Sequence, residues 1–417
     1  AHLLKMMNGE QYLQFLKDRT LASNPDATAL SPQDLLTAKE FEAYTAGNEI
    51  DWYKEVSQTS IIQNYQLSVD GATDKMNYYF SANYTDQDGV LKGNHYQKVY
   101  LRSKINTTIT DWLKAGLNIS GNFDNRDDRI ADMTWALAQS PYGFIYMRGD
   151  AFKGWMEKNP NGTFWENPLW GLQPGFYDDV NKGNFFQTNA NIDISIPWVK
   201  GLSVKLLGAY TLSNRLKASF THEQALVTKP AEMLDPSVNL SRAGGYMETS
   251  RTQSYLINAI LNYSRTFGKH FVDASAVFER KATNNSYVKF EGYNFADFGT
   301  TVLSYNGLNK AASTQYSGDA YDVLFSPPRM QSVLGRINYT FDNRYNASLS
   351  VRNDGSSAFA PGHQYSTFFA AALGWTISNE SFWKKNDIVN SLKFRLSWGE
   401  NGNSGIGAYR LFSKEEK

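Results

Sequence analysis

The chain has 417 residues, 41 basic and 41 acidic, so it carries no net charge and lacks the positive field that general nucleic-acid binding needs. Cysteine is absent, which excludes thiol nucleophiles, thiolate metal ligands and disulfides. Mean hydropathy is −0.48 and no run of about 18 apolar residues occurs, so no membrane-spanning helix is predicted. A β-barrel, which crosses a membrane with alternating strands, remains open.

The first sixty residues read as helical. Tyr12, Leu13, Phe15 and Leu16 recur at helical spacing within Asn8–Arg19. In Ser31–Gly47, Ser31 is placed to cap, Pro32 stands at the first helical position and Gly47 follows the end. Two short helices are predicted, then a linker through Glu49–Val56, so residues 1–60 form a helical segment ahead of a strand-rich remainder. The chain opens at Ala1 without a signal peptide and closes on Ser-Lys-Glu-Glu-Lys soon after a strand-like run; both ends read as cut from a longer protein.

From about Gln63 the period changes to two and stays there. Met76, Tyr78, Phe80, Ala82 and Tyr84 alternate with Asn77, Tyr79, Ser81, Asn83 and Thr85. Leu113, Ala115, Leu117 and Ile119 oppose Lys114, Asn118 and Ser120; Ala190, Ile192 and Ile194 oppose Asn189, Asn191 and Asp193. The pattern recurs around Ile257, Ala276, Ile337, Leu349 and Phe394, and 202–212 alternates less cleanly. This predicts an all-β chain of about twelve strands, many near the 9–11 residues that a tilted membrane strand needs. Short connections, such as Gly268-Lys269, alternate with long ones at about 126–183, 214–250 and 283–330, as turns and loops do at the two ends of an outer-membrane barrel. Aromatic residues gather near strand ends, among them Tyr84, Tyr100, Trp112, Trp198, Tyr210, Phe341, Tyr345 and Trp375, where amphipathic rings suit a membrane interface. The pattern therefore favours an antiparallel transmembrane β-barrel over residues 61–417, partial in strand number, above a soluble sandwich or propeller.

No enzyme is indicated. His2, His95, His222, His270 and His363 are scattered, and no His-Glu-x-x-His, Gly-x-Ser-x-Gly or P-loop pattern occurs. Asp127 and Asp128 beside Arg126 and Arg129 fit a solvated loop with local ion pairs better than a catalytic carboxylate pair. No metal site or cofactor is read. The loop from about 126 to 183 carries Trp135, Tyr142, Trp155, Trp165, Trp170 and Tyr177 among Asn, Asp and Glu side chains. Such rings can stack on sugars while polar neighbours bond hydroxyls; packing of the loop on itself or on a partner is the competing reading.

The stretch Val351–Trp383 resembles the SusC/RagA family of TonB-dependent outer-membrane transporters. The matching residues are Arg352, Asp354, Gly355, Ser356, Ser357 and Phe359, then Gly374, Trp375, Ile377, Ser378 and Glu380. Ser391–Asn403 is similar to that family's next strand, and Tyr78–Gly93 to a hairpin near its barrel's beginning. The resemblance implies a plug inside a 22-stranded barrel, of which this chain would be about the first half. It further implies TonB-driven nutrient import in a bacterial outer membrane, in contact with its lipid. The substrate would be an oligosaccharide or a peptide, with a SusD-like surface lipoprotein over the outer face and TonB engaging a region absent from this sequence. A passive pore or receptor, and a soluble β-rich binding protein, are the alternatives.

Overall fold

The computed structural model describes residues 5–127, 129–149, 153–229, 232, 243–295, 303–317, 329–384 and 388–403. Four helices precede the strands: α1 (Gly9–Ser23), α2 (Pro32–Leu35), α3 (Ala38–Thr45) and α4 (Trp52–Val56). The second predicted helix is split. Leu36 adopts an extended conformation, and Thr37 starts α3 afresh by exchanging hydrogen bonds with Glu40, its N–H donating to Oε2 at 2.7 Å.

The strands follow in chain order as β1 (Ile62–Ala72), β2 (Met76–Asp88), β3 (His95–Thr110) and β4 (Leu113–Arg126). After α5 (Met133–Ala138) come β5 (Tyr177–Ser195), β6 (Leu202–Thr221), β7 (Gly244–Phe267) and β8 (His270–Phe295). The series ends with β9 (Ala311–Ser317), β10 (Met330–Phe341), β11 (Tyr345–Ser356), β12 (Tyr365–Thr376) and β13 (Lys393–Gly399). All thirteen form one antiparallel sheet. Neighbours in sequence are neighbours in space, except that β8 pairs β10 and β9 lies off the path against the far end of β8. Among the described residues β1 and β13 do not pair, so the sheet is an open portion of a barrel.

The register aligns the apolar positions. Leu67, Ala82, Leu101, Gly121 and Phe186 stand opposite one another across five strands. Farther along, Ala276, Gly335, Val351 and Phe369 do the same, and Phe278 stands opposite Val333. Most of these side chains are exposed, as are Leu117, Ile192, Leu206, Ile257, Ile337, Leu349 and Leu396 on the same face. Isolated exposed hydrophobics are ordinary on a soluble surface, but a face apolar across a whole sheet is not. The face is bounded. Toward the long-loop rim Tyr84 gives way to Asp86, Tyr255 to Gln253 and Arg251, Phe278 to Arg280, Val333 to Gln331 and Val351 to Asn353. Tyrosines mark this change: Tyr65 stacks on Tyr84 at 6.4 Å and Tyr210 lies 5.1 Å from Tyr255. At the short-turn rim Phe341 stacks on Tyr345, Tyr345 pairs with Trp375, and Trp112 and Trp198 stand exposed in the turns. An apolar band between two aromatic rows is the lipid-facing surface of a transmembrane barrel.

The opposite face is polar and cross-linked. Asn64 accepts from Asn83 and Asn77 from Asn106. Arg215 reaches across β5 to Asp124 at 3.0 Å and also donates to Asn181. The contact passes over Gly183, where a Cβ would lie 2.7 Å from Asp124 and 2.9 Å from Arg215, so only glycine leaves the pair its path. Tyr100 belongs to this face, with the Lys98 ammonium 5.6 Å above its ring, and not to the interfacial rows predicted from its place near a strand end.

Two further features differ from expectation. The strands bordering the long loops run farther than the alternation alone marks, with β7 and β8 paired from Phe267–His270 to Gly244–Tyr293. And one connection breaks the short-long rhythm, since residues 377–392 separate β12 from β13 at the short-turn rim.

Phe80→Arg, near the middle of the apolar band, should destabilise the intact protein in lipid by about 2–4 kcal/mol, whereas Asn189→Arg on the polar face should change little. Denaturant unfolding in bilayers checks this; equal effects of the two would remove lipid from the apolar face.

Candidate functional site

Buried hydrophobic residues collect at the long-loop rim, where helices α1–α4 fold over the connection between β4 and β5 in two clusters. The larger joins Trp52, Val56, Ala136, Met156, Trp170 and Phe176. Trp52 is 1% exposed, and its indole N–H donates to the Ser140 carbonyl at 2.8 Å. Glu49–Val56 is thus the keystone of this cap, not a linker: its alternation is too short to register as a helix, but Asp51 caps α4 and both its apolar residues are buried. The smaller cluster holds Leu16, Leu36, Ala43 and Tyr142. Gly9 admits Tyr142 there, because a Cβ on residue 9 would sit 2.2 Å from its hydroxyl oxygen. Burial, with the Glu40 carboxylate 3.2 Å away, pushes the neighbouring Tyr12 phenol up to about 12. Lys39 ties the helices to the loop through Glu157 at 2.9 Å.

The six loop aromatics separate into groups. Trp170 is buried, its ring 4.8 Å from Phe176 and its N–H bonded to the Ala225 carbonyl. Trp155 also lies edge-to-face with Phe176, at 5.0 Å. Tyr177 is half-buried beneath the Arg129 guanidinium at 3.8 Å. Tyr142 belongs to the second cluster, edge-on to Tyr44. Trp135 sits half-buried on α5. Trp165 is half-buried beside Phe164, with ring centres 4.4 Å apart. Among the described residues of the loop Phe164 is 79% exposed and Tyr146 50% exposed, and these two, with Trp165 beside Phe164, are the rings it offers most openly. Phe164 lies in Asn159–Pro168, a turn-rich stretch between prolines, and that setting was the available signal for its exposure. Asn159 and Asn161 hold the stretch, Asn159 donating to the Thr163 carbonyl at 3.0 Å and Asn161 to Gln139 Oε1 at 2.6 Å.

The charged run before this loop pairs with the wall. Arg129 bonds Asp179 and, at 3.0 Å, Ser219; Arg126 approaches Asp124 at 3.7 Å; Asp128 lies outside the described residues. Among the described residues no group of three or more His, Cys, Asp or Glu side chains is placed to hold a metal ion.

The motif residues at 352–380 brace the wall. Arg352 grips Asp354 at 2.7 and 2.9 Å and donates to Ser332. Gly355 lies under the Tyr365 ring, Ser356 Oγ accepts from the Ala358 N–H, and Ser357 Oγ accepts from the Arg329 N–H. Phe359 closes the turn with its N–H on the Ser356 carbonyl. At the other rim Gly374 precedes Trp375, whose indole N–H donates to Glu380; Arg344 and Tyr345 donate to the same carboxylate at 2.8 and 2.6 Å.

No protein-family model matches the chain. Over 401 residues it is 26% identical to TonB-dependent receptor P3 of Formosa agariphila, covering 91% of this chain and 38% of that protein. It is likewise 26% identical over 410 residues to TonB-dependent receptor SusC of Bacteroides thetaiotaomicron, covering 90% and 38%. Its fold matches the RagAB peptide transporter with a TM-score of 0.73 at 19% identity, over 98% of this chain and 46% of that one. The chain therefore spans well under half the length of the curated relatives it matches.

Trp52→Ala should cost the cap about 3–5 kcal/mol, the loss expected for truncating a fully buried aromatic. Limited proteolysis of the intact protein should then cut within residues 127–176 while the strands stay protected. A second prediction concerns the β2–β3 hairpin, where His95 bonds Asp88 at 2.9 Å with Asp86 beyond. The Asp88 hydrogen bond, then the Asp86 charge, raise the imidazole above its usual value. A raised value means that the bond's contribution is fully present below about pH 6.5 and is lost as pH climbs through the folded value. Amide exchange at residues 89–94, corrected for intrinsic rate, should be slower at pH 6 than at pH 9, and His95→Gln should abolish the difference.

Proposed function

We propose, from the premise that this chain is a SusC/RagA-like stretch of a TonB-dependent outer-membrane barrel, that the protein imports an oligomeric nutrient, an oligosaccharide in the first reading. The observation that carries the proposal is the division of the wall: an apolar face banded by aromatic rows, backed by a polar face rich in Asn, Arg and Asp. A hydrated passage lined by amides and ion pairs suits a polar, hydrogen-bonding cargo. The short turns then face the periplasm, and the long loops with their helical cap face outward. Phe164, Trp165 and Tyr146 are the rings free to stack on a sugar, with Thr163 and Glu166 beside them. A SusD-like lipoprotein would rest on that cap, and TonB would act from the opposite side.

A peptide is the second reading. It is favoured because four of the six aromatics expected to meet sugars, Trp155, Trp170, Tyr142 and Tyr177, are committed to packing, and because the fold neighbour RagAB is described as a peptide transporter.

Calorimetry of the intact protein against defined oligosaccharides and defined peptides separates the readings. An oligosaccharide should bind, and Phe164→Ala with Trp165→Ala should weaken it about tenfold, the loss typical of a stacked aromatic anchor. Binding of peptides alone turns the conclusion to the second reading, and binding of neither overturns import of such oligomers.

A further inference from the structure

The aromatic row nearest the long-loop rim has a gap on β3 and β5, interrupted by the Phe123 ring on β4. Tyr65 and Tyr84 hold it on β1 and β2, and Tyr210 and Tyr255 on β6 and β7. Opposite Tyr84, the register places Val99, Phe123 and Asn184 on β3, β4 and β5. A groove of about 800 Å³ opens on the apolar face at this gap and above it. A second hollow, of about 570 Å³, continues it downward into the apolar band, and Phe123 and Asn184 line both. Its lining is almost wholly apolar, with Leu101, Ile119 and Phe186 around the small residues Ala82 and Gly121.

The upper part is charged. Lys182 and Arg251 line it, both are exposed, and neither forms an ion pair among the described residues. They stand on β5 and β7, either side of β6 and two residues out of register, their Cα atoms about 12 Å apart, within joint reach of one head group through their long side chains. Asn214 and Asn184 are bonded to each other between them at 2.8 Å. Carboxylates nearby are already engaged: Asp124 enters from the polar face held by Arg215, and Asp86 accepts from Tyr84 and Gln97.

We propose that this two-part groove binds a phosphate-bearing lipid of net negative charge from the surrounding membrane, with its phosphate against Lys182 and Arg251 and an acyl chain in the hollow floored by Ala82 and Gly121. The charge pair sits where the apolar face turns polar, which is the depth of a head group, and the hollow beneath has the chemistry of a hydrocarbon chain. A free phosphate would use the first part and leave the second without purpose. The inference rests on the membrane placement of the apolar face and not on what the barrel carries, so it stands or falls apart from the import reading.

The test is native mass spectrometry of the intact protein released from nanodiscs containing phosphatidylglycerol and phosphatidylcholine with identical chains. The unsubstituted protein should retain phosphatidylglycerol preferentially. Lys182→Gln and Arg251→Gln should each weaken that preference about fivefold, as expected for a cation at a membrane surface. Ala82→Leu, which fills the hollow from an exposed position and keeps the charges, should reduce retention of both lipids, and inorganic phosphate should compete weakly. Equal retention of the two lipids overturns the proposal, as does unchanged preference in the double glutamine variant. Strong competition by inorganic phosphate with no effect of Ala82→Leu would make this an anion site without a lipid. Should Ala82→Leu fail to insert, Ile119→Ala, which widens the hollow and loosens the chain contact, gives the same readout.

Discussion

The backbone ladder is the constraint on which the rest of the molecule depends. In hydrocarbon an unpaired N–H or C=O costs several kcal/mol, so a segment that crosses must satisfy those groups within its own structure. Between β1 and β13 the register does so, strand against neighbouring strand, and among the described residues the outer edges of those two strands lack a partner strand. Once the main chain is paired, one face of the sheet is free to be apolar without any protein to cover it. Phe80, Leu117, Ile257 and Leu349 are therefore exposed in the folded chain.

The same constraint displaces the ordinary hydrophobic core. Side chains that would fill the middle of a soluble domain instead gather above the band, where water returns and apolar surface gains by burial. Trp52, Trp170 and Phe176 form that core, and they hold a loop that would otherwise carry many unpaired polar groups. The polar face meets its own requirement through side-chain bonds such as Asn77–Asn106 and the Asp124–Arg215 pair above Gly183. Wall, lining and cap thus answer to three solvents: lipid, confined water and bulk water.

Much of the wall was legible because period two is a local property. Met76–Tyr84 and Leu113–Ile119 declare their faces in a handful of residues, and the loop rhythm fixes which ends share a rim. The cap was less legible, because its order comes from contacts between distant segments. Nothing local in Glu49–Val56 announces that Trp52 meets Ser140, and Leu36 breaks a helix whose sequence reads as continuous. Tyr100 lies near a strand end yet faces the polar side, since proximity to an end does not determine the face. For the aromatics of the long loop, composition placed them together but could not tell Trp170, enclosed by Phe176 and Ala225, from Phe164, which meets water.

The length of β7 has a consequence for charge. Beyond Tyr255 it continues through Gly244–Ser254, still paired to β8, on the order of 35 Å of strand at about 3.3 Å per residue. Tilted as barrel strands are, that carries the mouth on the order of 25 Å above the lipid surface. The Debye length at physiological ionic strength is only about 8 Å. A molecule arriving at the mouth is thereby screened from the charge of the bilayer, and the potential it first senses is written by the protein's own lysines, arginines and carboxylates.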